Sequence, residues 1–239
     1  MDNAGYTTLT RQSGLQRAME SVANNLANMS TTGYRREGVI FSEFVQDLGP
    51  ETSSLSMAAG RVREMDLSQG SITETGARFD FAIEGEGFFL LATETGERLT
   101  RNGAFTRSDT GDLVTSGGDV LLDAGGAPVF APPDATAIVV AADGTLSADG
   151  QPLSQIGLWE PVDPGGLVRA GDAQFIAPGG AAPTLGETRI LQGFLEGSNV
   201  NPVSEITRMI EVQRAYELGQ NFLDKEDERI RSVMRTLGQ

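Results

Sequence analysis

Glu84 and Glu86 are the residues of this chain best spaced for acid–base chemistry. They lie two apart beside Gly85 and Gly87, and on an extended strand they would share one face. Two carboxylates are what a glycoside hydrolase uses, one to protonate the leaving oxygen and one to attack or to activate water. The neighbouring glycines favour another use of the same residues, a solvated turn between strands. Little other chemistry is open to the chain. It has no His and no Cys, which removes a Ser-His-Asp triad, a thiolate nucleophile and the usual zinc sites. Asp143 and Asp149 lack the spacing of a calcium loop and read as turn residues. Gly85-x-Gly87 lacks the third Gly and the following helix of a dinucleotide fingerprint. No cofactor and no metal are expected.

The elements around these residues are better specified than any chemistry. At 239 residues the chain makes one large domain or two small ones. Thirty glycines and 39% apolar residues favour turns and short strands over an α/β enzyme. The net charge of −15 argues against nucleic acid, because phosphate binding needs clustered Lys and Arg. That charge is unevenly spread: residues 1–45 are net zero, residues 196–239 carry −2 and residues 46–195 carry −13. Near-neutral ends can pack against like neighbours, while an acidic middle keeps a free subunit soluble. Without Cys there is no disulfide framework. Met1–Thr10 shows neither the basic nor the apolar region of a cleaved signal peptide, and no apolar run nears the ~18 residues of a membrane span. A cytosolic chain, or one exported without cleavage, is expected, with no membrane insertion.

Both ends read as amphipathic helices. Leu15, Ala18, Met19, Val22 and Leu26 recur at steps of three and four, which gives one face of a helix over about 6–28. Thr31-Thr32-Gly33 is expected to end it, with Gly33 in a left-handed turn. At the other end Met209, Tyr216, Leu223, Ile230 and Leu237 recur every seven residues. The companion positions Ile206, Gln213, Gln220, Asp227 and Met234 are polar in the middle. A seven-residue repeat keeps one seam against a partner helix, and polar residues in it select register and partner. This helix is expected over about 203–236, started near Ser204 and Glu205 and preceded by Pro202. So narrow a stripe is marginal alone and needs another helix.

The middle alternates short apolar runs with turns. Phe79–Ile83, Gly87–Ala92, Ile138–Val140 and Leu153–Trp159 are strand-like. Thr95-Gly96, Asn102-Gly103, Thr110-Gly111, Gly117-Gly118 and Asp143-Gly144 punctuate them. Residues 111–117 resemble residues 144–150, as in a repeated hairpin. The expected division is an N-terminal helical segment over 1–45, an extended connector over 46–78, a β-rich domain over 79–190 and a C-terminal helical segment over 191–239. The fold class is α+β, with terminal α-helices around a central all-β domain.

Three motifs resemble those of the flagellar rod and hook axial proteins. The first is Ala23-Asn24-Asn25-Leu26-Ala27-Asn28 followed by Ser30-Thr31-Thr32-Gly33-Tyr34-Arg35. The second is Ala82-Ile83-Glu84-Gly85-Glu86-Gly87-Phe88-Phe89 with Thr100-Arg101-Asn102-Gly103-Ala104-Phe105. The third is Leu195-Glu196-Gly197-Ser198-Asn199-Val200-Asn201 with Met209-Ile210-Glu211-Val212-Gln213-Arg214-Ala215-Tyr216. The resemblance covers both ends and much of the middle, leaving 46–78 and 120–190 unmatched. Length and the Met1-Asp2-Asn3-Ala4 start look most like the proximal-rod members, with the distal-rod members as the alternative.

The resemblance implies a structural axial subunit of the basal-body rod, a torque-transmitting shaft in the periplasm. Its terminal helices would form an intersubunit coiled-coil layer, and it would leave the cell through the type III flagellar export apparatus. The implied partners are other rod subunits and copies of itself. The implied assembly residues are Leu15, Met19, Val22, Asn24, Asn25, Leu26, Asn28, Thr32, Gly33 and Tyr34 at the N-terminal end. At the C-terminal end they are Ser198, Asn199, Val200, Met209, Ile210, Gln213, Arg214, Tyr216, Leu223, Ile230 and Leu237. Two other classes compete with this reading, a cell-wall glycoside hydrolase resting on Glu84 and Glu86, and a generic coiled-coil adaptor. The structural reading predicts that Glu84→Gln with Glu86→Gln leaves swimming intact. A folded double variant that builds rods but loses a cell-wall hydrolysis, measured on purified peptidoglycan, would reverse it.

Overall fold

The apolar steps of three and four near the N-terminus fold as helix α1, Asp2–Ala27, and the seven-residue repeat near the C-terminus as helix α2, Pro202–Leu237. The computed structural model describes residues 2–46 and 55–237. The chain folds as two compact units. One comprises Met1–Ala27, Glu37–Asp66 and Asn201–Gln239; the other comprises Asn28–Arg36 and Leu67–Val200.

The first unit holds both helices and an antiparallel pair of strands, β1 (Glu37–Gln46) and β2 (Leu55–Met65). Strand β2 lies in the stretch expected to be an extended connector. The Ser, Thr and Gly content of that stretch masks it, since the pairing supplies backbone bonds that composition does not announce. Leu15 and Ala18 of α1 pack on Val212 of α2 and Val39 of β1, with Met19, Ala215 and Tyr216 beside them. The C-terminal helix thus finds its partner helix within the same chain. Its start also lies earlier than expected. Pro202 occupies the first helical position, where its missing N–H costs nothing, and Asn201 Oδ1 accepts from the N–H groups of Val203 (3.0 Å) and Ser204 (3.2 Å).

The second unit is almost wholly β. Its strands in chain order are β3 (Ile72–Glu74), β4 (Phe81–Glu84), β5 (Phe88–Thr93), β6 (Gly96–Thr100), β7 (Thr106–Arg107), β8 (Leu113–Val114), β9 (Val120–Leu121) and β10 (Ile138–Val140). They continue with β11 (Thr145–Ala148), β12 (Gln151–Gln155), β13 (Leu158–Pro161), β14 (Val168–Gly171), β15 (Gln174–Ile176), β16 (Ala181–Pro183), β17 (Arg189–Gln192) and β18 (Phe194–Glu196). The main sheet runs β14-β15-β6-β5-β9-β8-β7, with β13 joining β5 to β16. Strands β10-β11-β12 form a smaller sheet, and β17–β4 and β18–β3 form two pairs. The two similar segments 111–117 and 144–150 open the hairpins β8–β9 and β11–β12, as the sequence repeat predicts.

A core cluster of this unit gathers side chains from several of its strands. Phe81, Ile83, Phe89, Leu91, Leu113, Leu121 and Leu146 are fully buried in it. Phe89 and Phe105 meet edge to face at 5.6 Å, the arrangement the ring quadrupoles favour. The run Phe88-Phe89-Leu90-Leu91 is buried at every position, so β5 is covered on both faces. Leu91→Ala is expected to cost about 2–5 kcal/mol, because the deleted atoms leave a cavity that the surrounding core side chains only partly refill. Urea unfolding followed by Trp fluorescence measures it as a lower midpoint with an unchanged slope.

Candidate functional site: a buried junction of three segments

Part of each of the three sequence motifs lies in the β-rich unit, and these parts meet there. The residues after α1 do not continue the helix. Asn28–Arg36 holds turns, with Thr31 N–H donating to Asn28 O (3.1 Å) and Tyr34 N–H to Thr31 O (3.2 Å). Gly33 is left-handed (φ 69°), yet it lies six residues past the end of α1 and caps nothing. Its role is close approach: a Cβ there would stand 2.3 Å from the Asn102 nitrogen. The expected C-terminal turn is therefore corrected to a seat on the Arg101–Asn102 backbone.

Glu196 is the centre of this junction. Its side chain is fully buried. Oε1 accepts from Arg35 Nη2 (2.6 Å) and from the Gly70 N–H (2.7 Å), and Oε2 accepts from Arg101 Nη1 (3.3 Å). The Glu196 carbonyl accepts from the Gly33 N–H at 2.8 Å. Arg101 also donates to Gly85 O (2.6 Å) and lies 5.5 Å from the Phe88 ring centroid. Burial pushes the Arg101 guanidinium down to about 10, against the pull of Glu196, while nearby Arg35 pushes it the same way as burial. Two guanidinium groups share one carboxylate here. Among the described residues Arg35 Nε and Nη1 and Arg101 Nε have no hydrogen-bond partner.

Two further groups complete the seat. Arg169 donates from Nη2 to Arg35 O (2.6 Å), with its guanidinium 4.3 Å from the Tyr34 ring centroid and 5.3 Å from that of Phe175. Such stacking is an attraction of the cation to the ring faces. Asn199 Oδ1 accepts from the Arg36 N–H (2.7 Å), and its Nδ2 donates to Ser68 O (3.0 Å).

The helical unit has a polar lock of its own. Asn25 is fully buried. Its Nδ2 donates to Glu37 O (2.8 Å) and Glu205 Oε2 (3.1 Å), and its Oδ1 accepts from the Glu37 N–H (2.9 Å). Ser21 Oγ donates to the same Glu37 carbonyl at 2.7 Å. Near the middle of both helices, Gln12 Nε2 donates to Tyr216 O at 3.0 Å.

The residues singled out in the sequence fall into separate settings. Leu15, Val22, Asn25, Gly33, Tyr34 and Val200 are buried within one chain. Met19, Leu26, Asn28, Thr32, Ser198, Asn199, Met209, Tyr216 and Leu223 are half-buried. Asn24, Ile210, Gln213, Arg214 and Ile230 are exposed, and the Leu237 side chain lies outside the described residues. Glu84 ends β4 opposite Arg189 of β17, and Glu86 stands exposed past Gly85, whose φ is 109°. Arg35, Arg101 and Glu196 belong to the three motifs, yet the sequence does not mark them out as a group. The one signal present is that each stands within two residues of a glycine, Gly33, Gly103 and Gly197. Among the described residues no group of three or more acidic side chains is placed to hold a metal, and no helix is long and apolar enough to cross a membrane.

Breaking the centre of this junction is expected to be costly. Glu196→Gln leaves Arg35 and Arg101 buried without a counter-charge, a loss of about 3–5 kcal/mol. Adding Arg35→Met recovers part of it by removing one buried charge. Chemical unfolding of the two variants measures the difference, and equal midpoints would show that Arg35 and Glu196 are not coupled.

Comparison with known proteins matches three family descriptions. Residues 6–35 match "Flagella basal body rod protein", residues 82–148 match "Flagellar hook protein FlgE/F/G D1 domain", and residues 191–236 match "Flagellar basal body rod FlgEFG protein C-terminal". The chain is 38% identical to the flagellar basal-body rod protein FlgF of Caulobacter vibrioides, over 100% of this chain and 99% of that one. It is 36% identical to FlgF of Mesorhizobium japonicum over the same shares. Against the flagellar basal-body rod protein FlgG of Agrobacterium fabrum it is 31% identical, over 93% of this chain and 94% of that one.

Proposed function

The chain belongs to the flagellar basal-body rod protein family, on its FlgF branch, and from that premise we propose that it polymerises through its terminal helices into the torque-transmitting shaft. It is a structural subunit of the basal-body rod, and it associates with other rod and hook subunits. The finer reading is a proximal-rod position in the periplasm, reached through the flagellar export apparatus. In this reading the chain catalyses nothing. Glu84 and Glu86 support that, because they serve a strand end and the bend after it.

The observation that carries the assembly reading is the apolar surface α2 leaves uncovered. The helices run antiparallel, since Asn25 meets Glu205 while Gln12 meets Tyr216. With 36 residues against 26, α2 is about 15 Å longer at 1.5 Å per residue, so its last turns extend past the start of α1. On those turns Ile230, Val233 and Met234 continue the face that α1 covers earlier, and they are 38%, 44% and 68% exposed. Leu218 is 71% exposed on the flank of the same helix. Contiguous exposed apolar groups of this kind mark an interaction surface, and neighbouring subunits are its occupants in a rod. The assembly residues expected at Met209, Ile210, Gln213, Arg214, Tyr216 and Leu223 lie along α2 as well. Asn24 and Asn28 belong to the proposed assembly residues at the N-terminal end.

Ile230→Asp is expected to abolish rod assembly while leaving the unfolding of the isolated chain within about 0.5 kcal/mol, the range for an exposed position. Complementation of a strain lacking the chain, scored by swimming and by images of basal bodies, tests it. Rods of normal length built from the Asp variant would exclude the end of α2 from the interface.

A further inference from the structure

We propose that Glu196 and Asn199 form a clasp that carries mechanical load at the point where the chain leaves its β-rich unit. The proposal rests on the reading of the chain as a rod subunit, but its test does not. The chain crosses out of this unit at four points, before Asn28, after Arg36, before Leu67 and after Val200. The last three of these exits are tied together inside the unit. Glu196 binds Arg35 and the Gly70 N–H; Asn199 binds the Arg36 N–H and the Ser68 carbonyl. Gly197 N–H donates to Ser71 O at 2.8 Å. The strands cross so closely that a Cβ on Gly70 would stand 2.2 Å from the Gly197 oxygen.

The topology explains why load makes a clasp necessary. Strands β3 and β18 are antiparallel, and the pair Ile72–Glu196 is the end of their ladder nearest the exits. The chain enters β3 at Ile72 and leaves β18 at Glu196, both from that one end. Tension on the segments outside therefore peels the ladder pair by pair, instead of shearing all its bonds together. A peeled ladder fails one hydrogen bond at a time, which is its weakest mode. The clasp sits ahead of the first pair. Bonds from Glu196, Gly197 and Asn199 must break before Ile72 and Glu196 separate. Two of them are charge-assisted or involve a fully buried carboxylate, the stronger class of hydrogen bond. The ladder beyond is short, ending where Thr75 N–H meets Gly193 O (2.8 Å), so it offers little resistance once opening starts.

The test pulls the whole chain by two thiols. The sequence has no Cys, so Glu64→Cys and Val203→Cys give unique handles just outside two exits. Magnetic tweezers at constant force stretch only the chain between these handles, so opening of the segment 67–200 is read as a released length of roughly 480 Å at ~3.6 Å per residue. The expected result is that Glu196→Gln opens that segment about tenfold sooner or more and adds a short early step. The early step frees the chain up to about Asp80 and back to Gly193. Asn199→Ala, at a half-buried position, gives the same early step and keeps the test alive if Glu196→Gln does not fold. Leu146→Ala lowers the stability of the same unit away from the clasp, so it should speed the main step without the early one. Wild-type opening in Glu196→Gln and Asn199→Ala would overturn the clasp, as would the same early step in Leu146→Ala. Rod assembly in cells is scored separately, so a clasp that fails and a chain that builds no rods are distinguishable outcomes.

Discussion

The carboxylate of Glu196 is the constraint on which the β-rich unit depends. Placing an ionised carboxylate where no water reaches it is costly unless its lone pairs are all engaged. This one is met by Arg35, Arg101 and a backbone N–H. Each partner comes from a different stretch of sequence, so satisfying one buried charge fixes three segments at once. The seat of Gly33 on the Arg101–Asn102 backbone and the stacking of Arg169 on Tyr34 add geometric limits to the same segments. A buried ionic group of this kind contributes specificity more than net stability, since alternative pairings would leave a charge unmatched.

The helical unit is built on the opposite balance. Among the described residues its apolar core holds Leu15, Ala18, Val39 and Val212, with Met19, Ala215 and Tyr216 at the edge. Asn25 and Gln12 fix the alignment of the two helices with hydrogen bonds, which locate the register but bury little surface. Helix α2 also presents apolar residues to solvent at Leu218, Val233 and Met234. Exposed apolar groups of this kind suit a subunit that associates with other rod subunits. The β-rich unit has an apolar core of its own.

The asymmetry of charge follows this division. The acidic excess resides in the middle of the chain, where the exposed loops and turns of the β-rich unit lie. Its buried arginines, Arg35 and Arg101, are engaged inward and do not offset that surface. The terminal segments are close to neutral, which lowers the electrostatic cost of packing like against like.

The sequence alone determined the terminal helices, the strand-and-turn character of the middle and the family. Periodicity of three and four is a local property, and so are Gly-bearing turns and contiguous motifs. It also determined the absence of thiol and imidazole chemistry, because composition needs no fold. Three things were decided only by tertiary structure. Strand β2 was hidden because its partner β1 supplies what its composition lacks. The role of Gly33 was misassigned because a left-handed glycine near a helix end looks the same whether it caps the helix or seats against a distant backbone. The convergence of Arg35, Arg101 and Glu196 was invisible because they are separated by 66 and 95 positions, and nothing in local spacing says which charges a fold will bury together. A buried charge is matched through space, and only the folded chain defines that space.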